Sequence, residues 1–129
     1  MIAYTYGVFD LFHIGHLNLF KRIKQNYNQL IVGVHNDEQV MTYKDKPIIS
    51  YEERLEIVRS CRYVDQIYEN ADLIITDLIL DKLGADVVIA GNENIDYLKK
   101  YYQVSSNRLI LFDRTKHIST SKLKLMLKS

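Results

Sequence analysis

The sequence predicts one α/β domain over residues 1–129, of the Rossmann-like, doubly wound kind, with a five-stranded, mainly parallel sheet. Three observations predict it. Five short apolar runs, rich in Val and Ile, lack the polar–apolar alternation of a half-exposed sheet and suit strands buried on both faces. Segments of helical spacing separate these runs, the order expected of a parallel sheet with crossover helices. The length fits one domain, and 47% hydrophobic against 26% charged residues supplies one real core.

The elements follow in order. Residues 2–6 (IAYTY) read as the first strand, and Leu17, Phe20, Ile23 and Lys24 then recur at helical spacing. Residues 30–35 (LIVGVH) form the second strand. The stretch 36–50, which holds the only proline, Pro47, reads as a long loop. Ser50 is placed to cap a helix and Glu53 to complete a capping box, with Leu55, Ile57 and Val58 on that helix. Residues 63–68 are a possible third strand. A helix over 72–83 is followed by Gly84 as its stop. Residues 86–90 (DVVIA) and 108–112 (RLILF) are the fourth and fifth strands, and a helix over 119–127 closes the chain. Open sheets of this kind bind ligands outside the carboxyl ends of their strands. Chemistry is therefore expected just after Tyr6, His35, Ala90 and Phe112.

Several function classes are disfavoured. A net charge of +1 gives no global field for nucleic acid or a membrane surface, so any anion must be held by a local cluster. The single cysteine, Cys61, forms no internal disulfide, which suits a reducing compartment. The start MIAYTYGVFD has no basic segment followed by an apolar stretch, and no run approaches the roughly 20 apolar residues of a membrane span. A cytoplasmic protein with no nucleic-acid or membrane partner is the expectation.

The strongest motif is Gly7-Val8-Phe9-Asp10-Leu11-Phe12-His13-Ile14-Gly15-His16, directly after strand one and running into a helix. Gly7 lets the backbone turn off the strand. Backbone N–H groups and the dipole at a helix start favour phosphate. His13 and His16 on one side would donate hydrogen bonds to phosphoryl oxygens as charge develops, and Gly15 leaves room for a nucleotide. In isolation, two histidines at this spacing are a surface pair or a weak metal site; the strand–glycine–helix context points to function. A second segment, Arg114-Thr115-Lys116-His117-Ile118-Ser119-Thr120-Ser121, follows strand five. Ser119 and Thr120 would cap the final helix and offer hydroxyls to phosphate, and Arg114 would grip one. Lys44 and Lys46 flank Asp45 in the long loop, where a flexible lysine reaches a phosphate once the loop closes.

These segments resemble the cytidylyltransferase branch of the HIGH-motif nucleotidyltransferases over nearly the whole chain. Asn36-Asp37-Glu38, Tyr51-Glu52-Glu53-Arg54 and Arg62-Tyr63-Val64-Asp65 match as well. The closest likeness is to the bacterial glycerol-3-phosphate enzymes, with choline-phosphate and ethanolamine-phosphate enzymes as longer relatives. The form of the 114–121 segment resembles the cytidylyl more than the adenylyl branch. The resemblance implies cytidylyl transfer from CTP to a phosphorylated polyol or amino-alcohol, glycerol 3-phosphate first, by in-line attack on the α-phosphorus. It implies a CDP-linked product, of the kind used to build cell-surface polysaccharide, and Mg²⁺ arriving with the triphosphate. His13, His16, Lys44 and Arg114 would be catalytic. Tyr6, Gly7, Val8, Phe9, Asp10, Gly15, Lys46, Gly91, Arg114, Thr115, Ile118, Ser119 and Thr120 would hold the nucleotide. No residue is assigned to a metal, although Asp10 would organise its loop or contact the ion. Arg62 and Asp65 would help to form a homodimer; a plain surface ion pair competes with that role.

The acceptor side departs from the glycerol-3-phosphate pattern. The stretch 69–76 lacks the tryptophan and lysines of those enzymes, and 91–96 (GNENID) replaces their acidic motif. The acceptor is then glycerol phosphate held differently, another polyol phosphate, or a phosphorylated amino-alcohol or acid. Two rivals remain: an adenylyltransferase using ATP on the same fold, and a non-catalytic nucleotide-binding protein.

Overall fold

The computed structural model describes residues 1–91, 95–113, 123, 124, 126 and 127. Five strands form one parallel sheet: β1 (Ile2–Gly7), β2 (Gln29–Val34), β3 (Gln66–Glu69), β5 (Val87–Gly91) and β7 (Leu109–Phe112), in the order β3-β2-β1-β5-β7. The first strand lies at the centre. It pairs with β2 through Ala3↔Leu30 to Gly7↔Val34 and with β5 through Ala3↔Val87 and Tyr4↔Val88. Chain order reverses beside β1, so the strand ends there open onto a crevice.

Strand periodicity divides the core in two. Ala3, Val32, Val34, Val87 and Ile89 pack with Phe20 and Ile23 of α1 (Ile14–Asn26) and with Leu55 and Val58 of α3 (Tyr51–Arg59). Tyr4, Ile31 and Val88 face the other way, against Leu80 of α4 (Asp77–Leu83), Ile75 and Ala85. Both faces are covered, as the unalternating apolar runs require.

The structure shifts some expected boundaries. The second strand stops at Val34, which leaves His35 just beyond its end. The third spans only Gln66–Glu69. The helix expected over 72–83 begins at Asp77, because Ile75–Thr76 form a short strand, β4, parallel to β6 (Tyr102–Gln103). Thr76 caps α4 by accepting from the Ile79 N–H, and Gly84 ends it in the left-handed conformation (φ 73°). The stretch 36–50 is not all loop. It carries α2 (Asp37–Met41), capped by Asn36 in a reciprocal box with Gln39. A further short helix, α5 (Ile95–Tyr101), was not expected. Ser50 caps α3 by accepting from the Glu53 N–H, while Ile57 of that helix is exposed. Arg62 and Asp65 do not pair with each other. Arg62 donates to the Tyr63 hydroxyl (2.8 Å), and Asp65 accepts from Lys24 and from the Leu30 N–H (both 2.8 Å). The helix expected over 119–127 lies outside the described residues apart from 123, 124, 126 and 127.

Gly33 decides one close approach. A Cβ there would collide with the fully buried Tyr4 hydroxyl and lie 2.7 Å from the Ala71 Cβ. Both neighbours are locked in the core, so relief requires moving β2 or the Tyr4 ring. Gly33→Ala is expected to destabilise the fold by about 1–3 kcal/mol. Urea unfolding checks this, and an unchanged midpoint would refute the account.

Candidate active site

The site begins where β1 runs out. Gly7 ends the strand, and the next turns place two non-glycine residues in the left-handed region, Phe9 (φ 55°) and Leu11 (φ 48°). That conformation is costly and persists only where the surroundings impose it. Here they do. The Phe9 ring is buried edge-on to Phe20 and His16, both at 5.3 Å. Asp10, buried between them, accepts from the N–H groups of Leu11 (3.1 Å), Ile48 (2.8 Å) and Ile49 (2.9 Å), and Lys124 lies 3.1 Å from its Oδ2. Burial alone would raise the Asp10 pKa; the Ile48 and Ile49 amides and Lys124 outweigh it and hold the carboxyl below its ordinary range.

His13 and His16 form a capping box at the start of α1. His13 Nδ1 accepts from the Gly15 N–H (3.0 Å), and His16 Nδ1 accepts from the His13 N–H (3.2 Å). The rings stack at 3.9 Å, 24° from parallel. An Nδ1 that accepts carries no proton, so a neutral ring must place its proton on Nε2. The backbone thereby fixes the tautomer of both histidines as Nε2–H donors. His13 Nε2 is buried and has no hydrogen-bond partner among the described residues. Burial also depresses the His13 pKa, which keeps the ring neutral and the donor intact.

Arg54 joins the surrounding segments. Its guanidinium is fully buried and donates to the carbonyls of Ile49 (3.1 Å), Val8 (2.6 Å) and His35 (2.8 Å) and to the Asp37 carboxylate (2.7 Å). One side chain thus ties the turn after β1, the end of β2, the start of α2 and the end of the long loop. Arg54 falls in the stretch Tyr51–Arg54, and sequence alone assigns it no role. A lone arginine in an amphipathic helix looks like a surface residue unless its burial is known.

These parts enclose a cavity of about 290 Å³ at the carboxyl ends of β1, β2 and β5. Tyr6, Gly7, Val8, Phe9, Asp10, His13, Gly15, His16, Lys44 and Gly91 all line it. A family model described as cytidylyltransferase-like matches residues 4–125. The chain belongs to that family. Among similar proteins, the ethanolamine-phosphate cytidylyltransferase of Dictyostelium discoideum is 32% identical over 94% of this chain and 35% of its own length. The glycerol-3-phosphate cytidylyltransferase of Bacillus subtilis is 35% identical over 93% of this chain and 92% of its own length. The chain thus spans about a third of the first relative and nearly all of the second. A lipopolysaccharide core biosynthesis protein from Thermoplasma volcanium shares the fold, with a TM-score of 0.70 at 19% identity over 90% of this chain and 98% of that one.

This cytidylyltransferase-like site also departs from expectation. Lys46 is exposed and absent from the cavity wall, whereas Lys44 lines it, with its ammonium 5.4 Å from the Tyr43 ring. Asp10 serves the loop: both carboxylate oxygens accept backbone N–H groups. Arg114, Thr115, Ile118, Ser119 and Thr120 lie outside the described residues. The wall also holds residues the sequence did not single out, including Asn18, Arg22, His35, Tyr43, Tyr97 and Tyr102. Arg22 of α1 donates to the Asp113 carbonyl (2.8 Å) and stacks 4.7 Å over Phe112, which anchors the end of β7.

Arg54→Lys is expected to cost about 1–3 kcal/mol, because a lysine leaves at least one buried carbonyl of this cluster unpaired. Differential scanning fluorimetry should show a lowered Tm. A melting point equal to wild type would remove Arg54 from its place as the tie.

Proposed function

We propose that the protein transfers a cytidylyl group from CTP to a phosphorylated small polyol or amino-alcohol, releasing pyrophosphate and a CDP-linked product. A phosphate oxygen of the acceptor forms a bond to the α-phosphorus of CTP. The bond from that phosphorus to the oxygen bridging to the β-phosphorus breaks, and pyrophosphate leaves on the opposite side. The acceptor phosphate is already anionic at neutral pH, so no general base is needed, and catalysis is positioning plus charge stabilisation. The observation that carries this reading is the pair of backbone-fixed Nε2–H donors of His13 and His16 at a helix N-terminus inside a cavity. They meet charge that grows on the α-phosphoryl oxygens. Lys44 enters the same space from the long loop and neutralises phosphate charge. Arg114 and the hydroxyls of Ser119 and Thr120 complete the phosphate grip in this reading, with Thr115 and Ile118 beside them.

Mg²⁺ accompanies the triphosphate and shields its charge. Among the described residues no group of three or more His, Cys, Asp or Glu side chains is arranged to hold a metal ion, and the Asp10 oxygens accept amide hydrogens. Glycerol 3-phosphate is the acceptor we place first, because the relative named for it is matched along 92% of its length. Among the described residues no helix is long and apolar enough to cross a membrane.

His16→Ala is expected to lower turnover at least about a hundredfold, the scale of one preorganised donor, with a smaller loss of CTP affinity. Pyrophosphate release and calorimetry with CTP and ATP read this out. Turnover near wild type, or ATP bound better than CTP, would sink the proposal.

We also propose a homodimer. A shallow, mostly apolar groove runs between α1 and the end of α3, lined by Phe12, Leu17, Ile57, Cys61, Arg62 and Tyr63. Its surface is of the kind that a second copy covers. Equilibrium sedimentation at micromolar concentration should give twice the 15.2 kDa chain mass; a monomer there would refute it.

A further inference from the structure

Opposite the histidines, the cavity wall changes character. It is made of Tyr6, Tyr43, Tyr97, Tyr102 and His35. The Tyr6 ring lies 5.2 Å from His35 and 5.4 Å from Tyr102, and Tyr43 and Tyr97 pack against Tyr101 at 6.3 and 4.8 Å. The Tyr6 hydroxyl is turned onto the carbonyls of Leu73 (3.3 Å) and Tyr101 (3.4 Å), so this residue presents its ring rather than its polar end.

His35 is the polar exception in this wall. It is 4% exposed. Its Nδ1 meets the Tyr43 hydroxyl at 3.4 Å, and its Nε2 is buried with no hydrogen-bond partner among the described residues. The Asp72 main chain lies near the ring and favours its charged form, without hydrogen-bond geometry to Nε2. Burial, reinforced by the positive charges of Lys44 and Arg54 and opposed by Asp72, pushes its pKa down to about 4, so the ring is neutral under physiological conditions. A buried polar atom left unpaired is costly, and where one lines a cavity the natural partner is a ligand. The mechanism above uses His13 and His16 and leaves His35 without a task.

We infer that His35 is a specificity-determining residue that reads the tail of the acceptor, and that the acceptor tail carries a hydrogen-bonding amine or hydroxyl rather than a trimethylated ammonium. This rests on the proposed transfer reaction and deepens it. The Tyr43 hydroxyl both donates and accepts, so either neutral tautomer of His35 keeps its Nδ1 bond. Nε2 then pairs with a donor in one tautomer and with an acceptor in the other. A hydroxyl satisfies either, and a primary ammonium satisfies the first. A trimethylammonium satisfies neither and leaves Nε2 buried and unpaired. Tyrosine faces tolerate both kinds of cation, so the discrimination falls to the imidazole. Sites built to hydrogen-bond a substrate group reject analogues that lack it.

The test compares three acceptors with CTP and Mg²⁺: phosphoethanolamine, glycerol 3-phosphate and phosphocholine. Pyrophosphate release gives kcat/KM, and calorimetry gives the binding of each ester without turnover. In the wild type the better of the first two should exceed phosphocholine at least about tenfold in both readouts; which of the two leads separates an amine tail from a hydroxyl tail. His35→Phe fills the same space without a hydrogen bond and should bring that ratio within about threefold of unity, with CTP affinity unchanged. His35→Asn keeps a polar edge and should restore much of the preference. Should His35→Phe fail to fold, Tyr43→Phe on the exposed loop removes only the hydroxyl that orients the imidazole and should also compress the ratio. Phosphocholine as the preferred ester, no binding of any ester, or an unchanged ratio in His35→Phe or, where that variant does not fold, in Tyr43→Phe overturns the inference. Loss of turnover with the binding ratio intact overturns the transfer reaction and leaves the role of His35 standing.

Discussion

The buried guanidinium of Arg54 is the constraint on which this site depends. Its four contacts, to Val8, His35, Asp37 and Ile49, tie three stretches that are far apart in sequence. Each carbonyl it serves lies at a chain reversal, where no strand or helix partner is available. A hydrophobic residue in its place would fill the volume and leave those acceptors bare. The cost of burying the charge is offset by the Asp37 carboxylate at 2.7 Å and by three carbonyl dipoles. Asp10 does the complementary work with opposite charge, since it accepts the amides of Ile48 and Ile49, next to the carbonyl that Arg54 takes. The carbonyl and amide groups of one loop are thus claimed by a cation and an anion that belong to different parts of the fold.

That arrangement explains how two left-handed residues survive beside the histidines. Phe9 and Leu11 are held because Asp10, between them, is fixed on its far side by the 48–49 amides. The strain places the Phe9 ring under His16, and His16 completes the backbone box that also fixes His13. Tautomer, ring position and donor direction then follow from main-chain hydrogen bonds rather than from other side chains. Donors fixed this way need no rearrangement when charge develops, which is what the proposed transfer would draw on.

Much of this was legible in the sequence. The five strands read correctly because buried parallel strands leave continuous apolar runs, and the glycine–histidine motif sits where β1 ends. Gly84 stops its helix and Ser50 caps α3, but the Glu53 side chain does not complete the expected box. What failed has local causes. The helix expected over 72–83 starts later because Leu73 and Ile74, in a bend, and Ile75, in a two-residue strand, continue its apolar pattern. The short helix α2 was missed because five residues give no periodicity, although Asn36 and Gln39 had the spacing of a capping box. The surface ion pair that competed with a dimer role for Arg62 and Asp65 does not form: Arg62 bonds the Tyr63 hydroxyl and Asp65 bonds Lys24. Long-range ties such as Arg54 to Val8 leave no trace in local pattern, because burial of a charge depends on elements that meet only in three dimensions.

The two halves of the cavity are built from different materials, and this has a consequence for how such a protein changes its substrate. On one side stand the turn after β1, tied by Arg54 and Asp10, and the stacked imidazoles at the start of α1. On the opposite side the wall is side chains: tyrosines from β1, the long loop, α5 and β6, with His35 at the end of β2. Replacing one of those rings would change that wall without moving the α1 N-terminus or the stacked imidazoles. A family that keeps one reaction and varies the phosphorylated acceptor needs that separation. The relatives similar to this chain, named for ethanolamine phosphate and for glycerol 3-phosphate, show that different acceptors are reached on one family framework. The poor match over 69–76 and 91–96 is a separate matter: among the described residues of those stretches only Gly91 lines the cavity, so the aromatic wall varies independently of them.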